Sequence, residues 1–383
     1  MDNIINSCPL TLNTTRICGK SEINYAVEIS KIGFSNMKPN AVILINKDEV
    51  FDGILASPLV HFPINAPILL TDPYRLSKET LAEIQRLSPK GHEGIKVYLI
   101  GNLSSELENE LNSKGYTSKL ITGRDHYETA CQIPAERKSF KNILIISGQD
   151  YSEGIVSSYW SAHHGDPILF VMKNRIPECT LNVIKSMPNI NLYIIGSTKT
   201  ISASVEEALS RLSNVKKLSR ISGNSPYDVA VNFAKYKSES GEFGWGRNYK
   251  DGHAFAFGTI EDPMKIVSSV ILAHMGKHTP LLLIKKDSIP KTVSNYLYEV
   301  KPMPPMNMPR PPFMHGFILG NTNNITYDNQ VKIEDIISLE HEMMHMMMDN
   351  HEMMQGEHRP LEDYNISNLG YKFKNEKINH LIN

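Results

Sequence analysis

The sequence has few cysteines, almost no excess charge and no long apolar run, and each shortage excludes a class of protein. Its 383 residues include four cysteines, at positions 8, 18, 131 and 179. These are too few for a disulfide framework, so we expect reduced thiols. Forty basic and 41 acidic side chains leave a net charge of -1, which argues against nucleic acid as a partner. No stretch reaches the roughly 18 apolar residues of a membrane-spanning helix.

The N-terminal segment also lacks the features of an export signal. It has neither a cationic leader nor an unbroken apolar core before Thr11. We therefore expect a cytoplasmic chain with no membrane span. At about 100 to 200 residues per domain, its length allows two to four compact units.

What the sequence does contain is an internal repeat of about 100 residues. Gly19, Gly123 and Gly223 each follow a short apolar step and precede a tyrosine and an amphipathic helical stretch. The tyrosines are Tyr25, Tyr127 and Tyr227. A buried-type strand, a helix, a strand introduced by proline, another helix and a strand ending at glycine then follow in every copy. The final glycines are Gly101, Gly196 and Gly320.

Alternating strands and helices predict an α/β fold made of three Rossmann-like repeats, each a small parallel sheet flanked by helices. The repeats are expected at 15–118, 119–217 and 218–339. An extension at 1–14 precedes them, and a tail at 340–383 follows. The third repeat carries a Met/Pro-rich insertion at 301–315, which its core does not need.

Two motifs resemble the cell wall binding repeat type 2 family, which is known from clostridial surface layers. They are Pro67-Ile68-Leu69-Leu70-Thr71-Asp72 and Gly123-Arg124-Asp125-His126-Tyr127-Glu128-Thr129-Ala130, together with the strand that ends at Gly101. The resemblance covers about residues 15 to 339 and implies three repeats in a pseudo-threefold triangle. It also implies a protein without catalytic activity that attaches to an anionic wall polymer, at the cell wall instead of in the cytoplasm.

If the scaffold binds a ligand, we expect the site near strand ends and helix starts, where side chains and free N–H groups face a cleft. The predicted binding residues are Thr71, Asp72, Arg124, Tyr127, Arg220 and Tyr227. The two tyrosines have an alternative role, which is to pack a helix against the sheet. No hydrolase nucleophile elbow or convergent nucleophile and base points to an enzyme.

Methionine and histidine are concentrated in the C-terminal quarter, which holds most of the 17 methionines. Thioether and imidazole ligands together favour a soft ion such as Cu(I) over Zn(II). The second hypothesis is therefore an intracellular Cu(I)-binding protein. Its predicted ligands are Met303, Met306, Met308, His341, Met344, His345 and Met348.

The same tract contains His341-Glu342-Met343-Met344-His345, which has the form of the zinc-peptidase motif, with His351 as a third ligand. Met348 stands where the longer motif needs glycine, and the letters His-Glu-Met-Met occur twice. A tract of this composition produces the motif easily by chance. A zinc peptidase is therefore only the third hypothesis, and a solvated tail without a metal is the alternative to both metal hypotheses.

Overall fold

A computed structural model describes residues 8–137, 139–250, 252–275, 278–302 and 314–339. The chain divides after Ser338 into two parts, and the fold described here is that of the first. The strands are β1 (Thr14–Ile17), β2 (Val42–Asn46), β3 (Ile68–Thr71), β4 (Val97–Ile100), β5 (Ser118–Ile121), β6 (Asn142–Ser147), β7 (Ile168–Val171), β8 (Ile190–Ile195), β9 (Val215–Ile221), β10 (Ala254–Thr259), β11 (Leu281–Ile284) and β12 (His315–Leu319).

Within the described residues, at least one helix lies between any two consecutive strands. The helices are α1 (Glu22–Gly33), α2 (Val50–Ala56), α3 (Lys78–Leu87), α4 (Ser105–Ser113), α5 (His126–Gln132), α6 (Ser157–His164), α7 (Glu178–Ser186), α8 (Ala203–Ser210), α9 (Pro226–Lys235), α10 (Pro263–Ser268), α11 (Ile271–His274), α12 (Lys291–Val300) and α13 (Tyr327–Ile337). Short 3-10 helices at Ser57–Val60 and Ile133–Glu136 extend α2 and α5. In the ranges that the structure describes, no helix has the length and apolar character needed to cross a bilayer.

Three four-stranded parallel sheets form the framework, and all have the same strand order. Sheet 1 is β3-β2-β4-β5, sheet 2 is β7-β6-β8-β9 and sheet 3 is β11-β10-β12-β1. The central strands are almost completely buried, which explains why their sequences are continuous apolar runs instead of alternating ones. The predicted α/β fold of three repeated units is confirmed.

The sheets are offset from the repeats seen in the sequence, because each sequence repeat begins with the strand that completes the preceding sheet. Strand β5 belongs to sheet 1 and β9 to sheet 2. Strand β1, at the start of the chain, pairs in parallel with β12, with Ile17 opposite Leu319. The first repeat therefore supplies the edge strand of the last sheet, and this pairing joins the two ends of the repeat array.

The last glycine of each repeat lies in the left-handed region of backbone conformation. The φ angles are +82° at Gly101, +143° at Gly196 and +106° at Gly320. Each glycine directly follows the strand at the same place in its sheet, after β4, β8 and β12. A residue without Cβ adopts these angles without strain. The equivalence that the sequence predicts for these three turns is present in the structure.

The first glycine of each repeat is needed for a close approach to the following helix. A Cβ on Gly123 or Gly223 would lie 2.7 Å from the backbone nitrogen of Thr129 or Val229. At Gly19 the equivalent clash would be with the backbone of Tyr25. Tyr25 therefore takes the helix position of Thr129 and Val229.

The predicted tyrosine repeat is consequently wrong in the first copy. Asp125 and Ser225 cap α5 and α9 two residues before Tyr127 and Tyr227. Ser21 caps α1 four residues before Tyr25. The first glycine stands two residues before the cap in all three copies, so Tyr25 lies two residues too late in its helix, and Ile23 stands where the other copies have tyrosine.

The N-terminal extension is attached to β1 by a disulfide. Cys8 and Cys18 are bonded, with their Cα atoms 6.0 Å apart, and Cys131 and Cys179 are free. The expectation of four reduced thiols is therefore wrong for the first pair. The chain turns back between residues 8 and 14, so two cysteines at an uninformative spacing of ten meet in space.

Candidate binding clefts

A cleft of about 550 Å³ opens at the carboxyl ends of β1 and β12. It is lined by Cys18, Gly19, Lys20, Asn24, Glu28 and Asn321. Ligands of open parallel sheets generally bind at this end of the strands. Among the residues that the structure describes, none forms an ion pair with the Lys20 ammonium, so this cation is available to an anionic ligand.

The same loop recurs at the other two sheets, each time with a cation beside it. In sheet 1, Gly123 and Arg124 follow β5 as Gly19 and Lys20 follow β1. In sheet 2 the position after the glycine is Asn224, whose carbonyl oxygen accepts a hydrogen bond from Lys199 Nζ at 3.1 Å. The cations of the three loops are Lys20, Arg124 and Lys199.

Arg124 is the most accessible of the predicted binding residues. Its side chain is 89% exposed and pairs with Glu128 four residues later, where Arg124 Nε donates to Oε1 at 2.7 Å. This pairing holds the pKa of the Glu128 carboxyl well below its usual range. Because an exposed pair contributes little stability, an anion of a ligand can compete with Glu128 for the guanidinium.

We call each sheet with its helices a unit, numbered as the sheets are. In units 1 and 2 a buried carboxylate fixes the turn that follows strand β4 or β8. Asp52 Oδ2 accepts the N–H of Asn102 at 3.0 Å, and Glu153 Oε2 accepts the N–H of Ser197 at 2.7 Å. Both carboxylates are at most 5% exposed. For Asp52, burial raises the pKa to about 7, and the hydrogen bond from Asn102 acts in the opposite direction.

The third unit replaces this carboxylate with an amide. Met264 occupies the position of Asp52, and the N–H of Asn321 is bound instead by Asn324 Oδ1 at 3.0 Å. Asn324 Nδ2 in turn donates to Asp262 at 2.8 Å. In all three turns a side-chain oxygen therefore accepts the N–H after the glycine, and in unit 3 this oxygen comes from a different part of the chain.

Thr71 and Asp72 lie at the end of β3, at the opposite edge of sheet 1 from β5. The buried Thr71 hydroxyl donates to the carbonyl oxygen of Arg75 at 3.0 Å. Asp72 is half exposed, with an oxygen 3.6 Å from Lys47 Nζ. The structure therefore does not bring this pair together with Arg124.

Arg220 holds strand ends together. Its Nη1 donates to the carbonyl oxygen of Gly196 at 2.9 Å, its Nε donates to Glu206 at 2.8 Å, and its side chain is only 11% exposed. Arg16 makes the same bond to Gly320 at 3.0 Å. These contacts support a positioning role for both arginines.

Tyr127 and Tyr227 pack at the start of their helices. Tyr127 is 7% exposed and meets the ring of Phe170 edge-on, with the ring centroids 6.2 Å apart. Tyr227 is partly buried against both hydrophobic clusters of the core. These contacts favour the packing alternative for the two tyrosines.

The C-terminal predictions lie outside the described residues. They concern Met303, Met306, Met308, His341, Met344, His345 and Met348 as metal ligands, and Glu342 and His351 in the peptidase motif. Within the described ranges, no group of three His, Cys, Asp or Glu side chains is arranged to hold a metal ion. Cu(I) binding by the C-terminal residues stays a prediction.

Residues 121–206 match the family model of the Cell wall binding domain 2 (CWB2). This segment of the chain is thus similar to a cell wall binding domain 2. The matched segment runs from the end of β5 to the start of α8 and includes both Arg124 and Lys199. The family resemblance predicted from the sequence is thereby confirmed.

Two proteins of Bacillus subtilis (strain 168) are similar to this chain. The Amidase enhancer is 29% identical over 283 residues, which are 72% of this chain and 35% of that protein. N-acetylmuramoyl-L-alanine amidase LytC is 29% identical over 223 residues, which are 57% of this chain and 42% of that protein. The aligned regions thus cover less than half of either relative.

Solved structures of Cwp6 and Cwp8 from Clostridium difficile have the same fold. Their TM-scores are 0.71 and 0.69, each at 22% sequence identity and over 85% of this chain. The matches cover 48% of the Cwp6 chain and 52% of the Cwp8 chain. At this level of identity the likeness shows the fold alone.

The sequence prediction of the site included Arg124 but missed Lys20, Lys199 and Asn321. Lys20 could have been found, because the residue after the first glycine of a repeat is basic in both of the first two copies. Lys199 and Asn321 reach the loops from neighbouring strand ends, and only the strand order of the sheets indicates this proximity.

Proposed function

We propose that this chain is a binding module without catalytic activity that attaches to an anionic polymer of the cell wall. The observation that carries the proposal is the threefold recurrence of a glycine loop with an adjacent cation at the carboxyl ends of the sheets. Two of the three cations, Arg124 and Lys199, fall within the segment that matches CWB2.

Three weak sites are better suited to binding a polymer than to binding a small ligand. Each loop offers one principal cation, and a single exposed ion pair contributes little binding energy. A polymer with repeated anionic groups can contact several loops at once, so that the second and third contacts form at high effective concentration. The repeated fold then supplies avidity without a deep pocket.

The disulfide supports the cell wall over the cytoplasm as the location. The bond between Cys8 and Cys18 is of a kind that persists in oxidising compartments outside the cytoplasm. The intracellular Cu(I) hypothesis gains no corresponding support from the described residues.

The buried carboxylates support binding over catalysis. Asp52 and Glu153 lie close to the strand ends, where an acid or base would act in an enzyme of this fold class. Both accept hydrogen bonds from backbone N–H groups and are almost completely covered. They stabilise turns and are not accessible to a substrate.

The proposal is tested by cosedimentation of the full chain with purified Gram-positive cell walls. One sample of walls retains its anionic polymers, and a second has been stripped of them so that only peptidoglycan remains. We expect binding to the first sample alone, and we expect it to weaken as salt rises from about 50 to 300 mM, because the contacts are exposed charges. Equal binding to stripped walls would show that the anionic polymer is not the ligand.

A charge-matched pair of variants tests the clefts themselves. The triple variant Lys20→Gln, Arg124→Gln, Lys199→Gln removes the three loop cations, and we expect at least a tenfold loss of affinity. The control, Lys114→Gln, Lys185→Gln, Arg211→Gln, removes the same charge near helix C-termini, at the opposite ends of the sheets. An equal loss in both variants would indicate a general charge effect and reject the clefts as the site.

A further inference from the structure

One histidine from each repeat lies at nearly the same place, at the end of the second helical segment or just after it, and these three histidines meet where the repeats join. His61 follows the 3-10 helix Ser57–Val60, and His163 and His274 are at the ends of α6 and α11. These three helical segments pack against one another in series, with α6 in contact with both others. The ring centroids of His61 and His274 are 5.0 Å apart.

A fourth histidine completes the cluster. His278 Nδ1 lies 3.1 Å from His163 Nδ1, with the ring centroids 4.8 Å apart. A hydrogen bond between two ring nitrogens needs one of them to be unprotonated, so at least one imidazole of this pair is neutral. We call His61, His163, His274 and His278 the histidine junction.

The charged groups around the histidine junction are mostly cations. Arg137 Nη1 donates to the carbonyl oxygens of His61 and Phe62 at 3.3 and 3.1 Å, and Arg137 Nη2 is 3.4 Å from His61 Nδ1. Arg247 donates to the carbonyl oxygen of His278 at 3.0 Å. Neither arginine can compensate a proton added to an imidazole.

The carboxylate nearest the junction already has its own partners. Asp166 lies 3.0 Å from His164 Nδ1 and accepts a hydrogen bond from Trp160 Nε1 at 2.9 Å. Glu242 acts electrostatically on His164 and lies 3.3 Å from Lys141. Asp166 also acts electrostatically on His61, where it opposes the larger effect of burial on the pKa, but no described carboxylate forms an ion pair or a hydrogen bond with His61, His163 or His274.

We propose that the histidine junction is an acid-sensitive lock on the three-repeat scaffold. The neutral imidazoles pack where the repeats join, and protonation places like charges about 5 Å apart among arginines, which forces the repeats apart. This inference is independent of the proposed polymer binding, because none of these residues lines the cleft of sheet 3.

The direction of the effect follows from the pKa values. Burial, together with the neighbouring histidines, lowers the pKa of His163 to about 3 and that of His274 to about 4, and burial also lowers the pKa of His61. In the unfolded chain histidine titrates near about 6.5. The stabilising contribution is therefore complete above about pH 6.5 and is lost as the pH falls from there toward the folded values.

His164 responds in the opposite direction. Its hydrogen bond to Asp166 raises its pKa, so its contribution is complete at low pH and is lost as the pH rises through the folded value.

Between about pH 5.5 and 4.5, His163 and His274 each raise the unfolding constant by up to about tenfold per pH unit, or about 100-fold together.

Intrinsic fluorescence can follow the junction directly, because the chain has two tryptophans and both contact these histidines. Trp245 stacks on His163 with centroids 5.0 Å apart, and Trp160 stacks on His164 at 5.1 Å. In a titration from pH 8 to about pH 2.5, which passes through the low pKa of His163, we expect two fluorescence steps. The upper step should disappear in His164→Gln, and the lower step, with a midpoint below pH 6, should disappear in His163→Gln.

Urea unfolding at pH 7.5, 5.5 and 4.5 measures the lock itself. Between pH 5.5 and 4.5 the unfolding constant of the wild type should rise by a factor about 100 times larger than that of the triple variant His61→Gln, His163→Gln, His274→Gln. His92→Gln, which changes a histidine in a remote surface turn, should behave as the wild type. Equal pH dependence of the wild type and the triple variant overturns the proposal.

If the triple variant fails to fold, the wild-type titration decides alone. A single fluorescence step with a midpoint near pH 6.5 would mean four independent, solvated histidines and would reject the lock. A depressed step coincident with exposure of the tryptophans to solvent supports it.

Discussion

Replacement of Asp52 by asparagine should stabilise the protein at neutral and alkaline pH. The Asp52 carboxyl is 5% exposed, and burial raises its pKa from 3.8 to about 7. The folded state therefore retains a proton that the unfolded chain has already released. Ionisation inside the fold costs free energy that an amide does not incur, and unit 3 already uses the amide of Asn324 in this role.

The size of the effect follows from the pKa difference. A shift of about three pKa units corresponds to about 4 kcal/mol at most, at about 1.36 kcal/mol per unit. The hydrogen bond from the N–H of Asn102 is weaker to an amide oxygen than to a carboxylate, which offsets part of this gain. We expect Asp52→Asn to raise the free energy of unfolding by about 2 kcal/mol at pH 8 and to change it by less than about 1 kcal/mol at pH 5, where the folded and unfolded states differ less in ionisation.

Urea unfolding of the wild type and Asp52→Asn at pH 5 and pH 8 provides the test. The difference between the two proteins at one pH cancels the contribution of the histidine junction, which both contain. Asp52→Ala is the control, because it leaves the N–H of Asn102 without an acceptor and should cost about 1 to 3 kcal/mol at either pH. If Asp52→Asn destabilised the protein at pH 8, or changed it equally at both pH values, the reasoning from burial would be refuted.

Three other substitutions and treatments test the structure at single contacts, each by urea unfolding. Gly101→Ala should lower the free energy of unfolding by at least about 3 kcal/mol, and Gly94→Ala should lower it by only about 1 kcal/mol. Both glycines have φ above +80°, but only at Gly101 would the new Cβ meet a buried carboxylate. Reduction of the Cys8–Cys18 disulfide should lower the free energy of unfolding by about 3 kcal/mol. The loss should be the same in a control variant in which both free cysteines are replaced by serine. Tyr159→Phe should cost about 1 to 2 kcal/mol, because its buried hydroxyl is 2.7 Å from a serine hydroxyl; no loss would mean that the bond is absent in solution.

The sequence by itself determined the repeating elements and the fold class. Continuous apolar runs marked strands buried on both faces, and Pro67, Pro167 and Pro280 each stand just before an edge strand, as their missing N–H requires. Gly101 and its two equivalents marked the turns with positive φ. These properties are local, because they depend on the neighbours of a residue along the chain, and the repeat displayed each of them three times.

Only the tertiary structure decided which repeat supplies the edge strand of which sheet, and which side chains meet. The pairing of β1 with β12, the Cys8–Cys18 bond and the substitution of Asn324 for a buried carboxylate all join segments whose sequence spacing carries no signal. The histidine junction also depends on the tertiary structure: three of its members occur one per repeat, as packing residues would, and His278 is a second member from the third repeat. Their mutual effect on protonation arises only because the packed helices bring the rings within about 5 Å of one another, where burial and like charge act together.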